Sequence, residues 1–190
     1  MKNRYISLLK RNVNRSGVDK LVSWLEKCSD FETAPASSRF HGSYPGGWLK
    51  HSLNVYDRLN FLLEADDNND YSESTITLVA LCHDLCKLNL YQSEPKWAKD
   101  ANGKWFQDGM KYTCDCKSPL GEHGDLSVIM LQNFMQLFSE EIMAIRWHMG
   151  PSEQARNMAA AYEKCPLAVY LHMADMMATY IDEADHGSNA

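Results

Sequence analysis

Ile76-Thr77-Leu78-Val79-Ala80-Leu81-Cys82-His83-Asp84-Leu85-Cys86-Lys87 is the stretch that decides how this chain is read. From Ile76 to Leu85 it is almost unbroken apolar, with Ser72 or Ser74 ahead of it as a helix cap. A helix that is apolar nearly all round is buried nearly all round, so the polar pair His83-Asp84 inside it needs a reason. Working outward, helical spacing of apolar residues predicts helices over 17–28, 48–64, 122–138, 140–149 and 166–182, with a shorter one near 152–163. Residues 30–47 are rich in Ser, Pro and Gly and read as an ordered loop. Tyr91 to Lys99 and Lys104 to Thr113 flank Ala101-Asn102-Gly103, and Asn-Gly between polar-aromatic segments signals a hairpin. The expectation is an all-α bundle with a small β-hairpin insertion around residues 90–117, as one domain over 1–190.

The composition agrees with that class. At 190 residues the chain suits one domain better than two, and 45% hydrophobic with 23% charged residues excludes a disordered chain. Only 10 Gly and 6 Pro favour helices over tight turns. A net charge of −6 counts against a dedicated nucleic-acid binder but not against a small phosphorylated substrate. Residues 1–17 are polar and carry no signal-peptide core, and no stretch is apolar enough to span a membrane. Six cysteines fit no secreted disulfide framework in a chain of this size, so the expectation is reduced thiols in a cytoplasmic protein. Cys114-x-Cys116 lacks the second pair that a zinc ribbon requires.

Ionisable residues recur inside the apolar helices: His51, His83, Asp84, His123, His148 and Asp175. One buried histidine is ordinarily a hydrogen-bonded core residue, but an imidazole or carboxylate from each of five helices is hard to explain as packing. Neighbours on a helix point about 100° apart, so His83 and Asp84 would flank a metal lying over the groove between them. Nitrogen and oxygen donors without thiolates suit Mn, Fe, Zn, Co or Mg.

His51, then His83-Asp84, then Asp175 is similar to the H…HD…D pattern of the HD-domain metal-dependent phosphohydrolases. Gly46-Gly47-Trp48-Leu49-Lys50-His51 resembles the GG-L-x-H opening of several members, and His83-Asp84-Leu85-Cys86-Lys87 resembles their HD-x-G-K turn. The resemblance covers about residues 40–182 and implies hydrolysis of a phosphate ester or anhydride of a nucleotide-like substrate. It implies divalent metal at His51, His83, Asp84 and Asp175, with His123 and His148 placed where two-metal members carry extra histidines. In the same reading Asp84 and Lys87 are catalytic, Lys87 neutralising phosphate charge. The plainer reading of Lys87 is a lysine on a helix C-terminus. His41 is a phosphate contact or a loop tie, and Arg146 a substrate contact or a surface residue. His172, three residues before Asp175, could be a ligand by spacing, but the family pattern does not use it and a core role or one supporting a ligand is expected; His186 fits an exposed tail.

Cys86 stands where the family has glycine, and Met149-Gly150-Pro151 lacks the GYP signature of cyclic-di-GMP phosphodiesterases. An exoribonuclease-type activity on single-stranded RNA or DNA and a non-catalytic metal- or nucleotide-binding regulatory domain remain alternatives. The rings of Tyr91, Trp97, Trp105, Phe106 and Tyr112 either pair across the hairpin, stack a nucleobase as a lid, or form a contact in a homo-oligomer.

Overall fold

The computed structural model describes residues 1–67, 69–115, 117–150 and 155–184. Cys116, Pro151 and His186 lie outside them. Among the described residues the chain is largely helical, with one antiparallel hairpin. In chain order the elements are α1 (Lys2–Asn12), α2 (Val18–Cys28), α3 (Gly47–Glu64) and α4 (Glu73–Cys82), then β1 (Gln92–Lys99) and β2 (Trp105–Thr113). They continue with α5 (His123–Gln132), α6 (Ser139–Trp147), α7 (Ala155–Lys164) and α8 (Pro166–Met177). A single 3₁₀ turn, Leu85–Lys87, follows α4, and a π-helical turn, Ala178–Asp182, follows α8.

α3 lies at the centre, packed on α4 and α8, and α6 packs on α5 and α8. Its apolar face buries Trp48, Leu49, Leu53, Val55, Leu59 and Leu63, close to helical spacing. α4 is buried from Thr75 to Cys82, as its composition predicts, and Ser72 caps it by accepting from the Thr75 amide. α1 closes the core: the Tyr5 hydroxyl donates to the Leu81 carbonyl at 2.8 Å, and its ring lies 5.6 Å from that of Trp48. The Trp48 indole N–H in turn donates to the Asp84 carbonyl at 2.9 Å, fastening the start of α3 to the turn after α4.

The Gly46-Gly47 pair has a steric cause. Gly46 takes φ +81°, and a Cβ on Gly47 would sit 1.9 Å from the Gly42 carbonyl oxygen. Only glycines let the preceding loop lie against the first turn of α3.

Several helices stop short of the predicted ends, α8 among them, which gives way to the π-helical turn after Met177. α5 stops at Gln132 because the Asn133 side chain donates to the Ile129 and Met130 carbonyls, although Met135 and Leu137 beyond it are still buried. α4 stops at Cys82, so His83 and Asp84 lie in a turn. The hairpin forms where expected, with Lys99 opposite Trp105 and Gln92 opposite Thr113 and an irregularity between Pro95 and Trp97. At its tip, Asp100 accepts from the Asn102 and Lys104 amides and Gly103 takes φ +79°. Cys114 is disulfide-bonded, contrary to the expectation of six reduced thiols, while Cys28, Cys82, Cys86 and Cys165 are free. Among the described residues no helix is long and apolar enough to cross a membrane.

Candidate metal centre

Five of the six expected metal ligands meet at one end of the bundle. His51 comes from α3, His83 and Asp84 from the turn after α4, His148 from the residue that ends α6, and Asp175 from α8. Asp84 has left helical geometry (φ −110°, ψ 28°), which lets it and His83 serve the same point. The earlier expectation of a metal over a groove between two helical neighbours is therefore replaced by a turn that aims both. With His41, the rings form a row: centroids are 4.8 Å apart from His41 to His51, 5.3 Å to His83 and 4.9 Å to His148.

Each buried imidazole has one nitrogen tied outward and the other left bare. His83 Nδ1 donates to the Ala80 carbonyl at 2.8 Å, and His148 Nδ1 to the Ile145 carbonyl at 2.6 Å. His51 Nδ1 faces the Glu183 carboxylate at 3.1 and 3.3 Å. The opposite nitrogens, Nε2 of His51, His83 and His148, are buried without a hydrogen-bond partner, as is Asp84 Oδ1. His51 Nε2 lies 3.1 Å from Asp175 Oδ1, and His148 Nε2 3.6 Å from Asp84 Oδ1, without hydrogen-bond alignment. Unmet buried polar atoms are costly. Outside the cluster and the adjoining His41, Ser74 Oγ is the one other such side-chain atom among the described residues, and buried Glu141 is met by Arg15, Thr75 and the Phe138 amide. Three bare nitrogens and a bare carboxylate oxygen converging in one place are what a cation would satisfy, and outward-tied Nδ1 atoms are how metal-ligating histidines are held.

Ligand atoms lie within 4.8 Å of one another in three groupings: His83-Asp84-His148, His51-His83-Asp175 and His41-His51-Glu183. These buried His/Asp clusters can hold metal ions. Burial opposes charge on His51, yet Asp175 and Glu183 raise its pKa to about 9. Burial lowers that of His83. Burial would also raise the Asp84 pKa, but Lys87 and His83 hold it well below the usual carboxylate range.

The remaining predicted residues divide. Lys87 is buried with Nζ 2.6 Å from Asp84 Oδ2, and both line a cavity of about 990 Å³. His41 lines the same cavity with a buried, unpartnered Nε2. His123, at the first residue of α5, is half-buried with Nδ1 3.9 Å from Cys86 Sγ, and belongs to none of the three groupings. Arg146 is exposed, pairs with Asp125 at 2.8 Å, and does not line the cavity. His172 donates through Nδ1 to the His148 carbonyl at 2.6 Å, and a Cβ on Gly150 would strike its ring. No hairpin residue lines the cavity among the described residues; its rim carries Phe40, Tyr44 and Tyr180, all exposed. Nothing in the sequence pattern singles out Glu183.

No family model matches the chain, and neither the curated proteins nor the solved structures contain a match.

Proposed function

We propose that this chain is a divalent-metal-dependent phosphohydrolase of the HD type, acting on a small nucleotide-like phosphate ester or anhydride. One observation carries the reading: the bare Nε2 atoms of His51, His83 and His148 converge with the bare Oδ1 of Asp84, all buried. Asp175 completes the set of residues that would hold the metal, and two ions are part of the proposal.

When bound, a divalent ion at such a site supplies Lewis acidity toward phosphoryl oxygen and water. The chain supplies the rest. Asp84 and Asp175 remain ionised, because Lys87 faces the first and His51 the second. Burial would lower the pKa of Lys87, but Asp84 keeps it raised, so a cationic ammonium faces the cavity where phosphate oxygens would lie. His41, whose ring lies 4.8 Å from that of His51, offers a buried imidazole nitrogen in the same cavity. Phe40, Tyr44 and Tyr180 offer ring faces to a flat organic group beyond the phosphate.

The test is a screen of nucleotides and phosphodiesters against metal-free protein supplied in turn with Mn, Co, Mg, Zn and Fe. Turnover that depends on added metal and is lost in Asp84→Asn supports the reading. Turnover undiminished in excess chelator overturns it. Turnover confined to single-stranded RNA or DNA and falling steeply with salt would favour the nuclease alternative.

A further inference from the structure

We infer that Glu183 is a positioning residue of the metal centre: its carboxylate holds the Nδ1 side of His51 so that Nε2 faces the cluster. The inference rests on the metal-binding reading above and adds to it a residue outside the H…HD…D pattern.

Glu183 reaches this place through irregular backbone. α8 runs to Met177, and the chain then makes a π-helical turn over Ala178–Asp182, a rare conformation that is frequent at functional sites. Two consecutive carboxylates leaving that turn grip one stripe of α3. Asp182 pairs with Arg58, whose Nε donates at 2.7 Å. Glu183 accepts from the Asn54 side chain at 2.9 Å and meets His51 Nδ1 at 3.1 Å. His51, Asn54 and Arg58 follow at helical spacing, so α3 presents them as one row and the π turn lies along it. The Glu183 side chain is 2% exposed, and a carboxylate so enclosed is stable only against partners that answer its charge.

The chemistry favours positioning over ligation. Once a cation displaces the Nε2 proton, an imidazole that still donates through Nδ1 carries its lone pair on Nε2, the nitrogen turned toward His83 and Asp175. His51 would have to lose both ring protons to serve a cation on the Glu183 side as well. The grouping of His41, His51 and Glu183 is thus read as the outer support of the centre.

The experiment compares the full chain with Glu183→Gln, Glu183→Ala and Asn54→Ala. Zn²⁺ affinity is measured by chelator competition, stoichiometry by elemental analysis, and the His51 ring nitrogens by ¹⁵N NMR. Losing such an outer partner typically weakens metal binding about 10–100-fold, so Glu183→Ala should fall in that range. Glu183→Gln, which keeps an acceptor of the same shape, should lose less, and Asn54→Ala less again. In the Zn²⁺-loaded parent, His51 should carry its proton on Nδ1 and bind through Nε2, and Glu183→Ala should blur that assignment. A merely structural role would lower metal-free stability but leave the affinity of the folded protein and the His51 signals alone, which overturns the inference. So does a stoichiometry that falls by one ion in Glu183→Ala, since Glu183 would then be a ligand. Parent protein that takes up no Zn²⁺, Co²⁺ or Mn²⁺ overturns the metal reading and this inference together, whereas uptake unchanged in Glu183→Ala overturns this inference alone.

Discussion

Replacing Asp84 by asparagine tests the electrostatics of the site without needing a substrate. The carboxylate faces three groups at once: Lys87 Nζ at 2.6 Å, His83 Nε2 at 3.5 Å and His148 Nε2 at 3.6 Å. Lys87 is only 6% exposed, so an amide at position 84 leaves an ammonium in the interior without its counter-charge. Removing one partner of a buried ion pair costs about 3 kcal/mol or more. For a domain of this length each kcal/mol moves Tm by about 2–4 °C, so Asp84→Asn should melt about 6–12 °C lower in chelator. Differential scanning calorimetry reads this directly. Adding Lys87→Met to Asp84→Asn should return more than half of the loss, because no unpaired charge then remains. A second arm adds cation at about 100 times its Kd, which stabilises a specific binder by about 2.7 kcal/mol, or about 5–11 °C. The parent should show that rise and Asp84→Asn should not. A variant melting within about 2 °C of the parent in chelator, or rising equally with cation, would refute the reasoning.

Other outcomes follow from the same geometry. His148→Ala should lose bound metal by elemental analysis while His123→Ala keeps it, since only His148 turns a bare nitrogen into the cluster; equal loss in both would restore His123 as a ligand. Tyr180→Ala should raise KM for nucleotides about tenfold, the scale of one base stack, whereas Trp97→Ala and Trp105→Ala should leave KM and Tm unchanged, because both rings are exposed and neither lines the cavity. Exposed Cys28 should react rapidly with a thiol reagent at pH 8. Cys86, whose pKa burial and then Asp84 push up to about 12, should stay unreacted until unfolding, its thiolate being about one part in ten thousand at that pH. A fast second thiol in the native protein would contradict that placement.

The parts of this architecture that could be read from the sequence are those where burial and period coincide. α3 and α4 are visible because their apolar residues run at helical spacing or without interruption, and the histidines and aspartates inside them stand out against that background. α1 is obscured because polar side chains, Lys2, Arg4, Lys10 and Arg11 among them, outnumber the apolar ones over residues 2–12. Tyr5, Leu8 and Leu9 nevertheless sit at one face and are buried, with the basic side chains turned outward. The apolar run to Leu85 places His83 and Asp84 on a helix, but α4 ends at Cys82. That boundary depends on the tie to Trp48, a residue distant in the chain. Glu183 is not legible in the sequence, and the reason is one of helical phase. At 100° per residue it should lie about 80° round from Asp175, but the π turn between them slips the register and brings both carboxylates to His51. Local pattern carries no sign of such a slip.

The indole of Trp48 has a consequence for how the site breathes. Its ring is wholly enclosed in the core while its N–H holds the backbone of Asp84. The turn carrying His83 and Asp84 cannot swing open unless that ring is exposed, and uncovering a tryptophan costs about 3 kcal/mol or more. Amide exchange in this turn should therefore follow global rather than local opening. The lip of the cavity has no such anchor at Phe40, Tyr44 and Tyr180, whose rings already stand in solvent. Phe40 and Tyr44 are free to vary, and with them the shape of molecule admitted, without loosening the turn that Trp48 holds, whereas Tyr180 belongs to the π turn that carries Glu183 to His51.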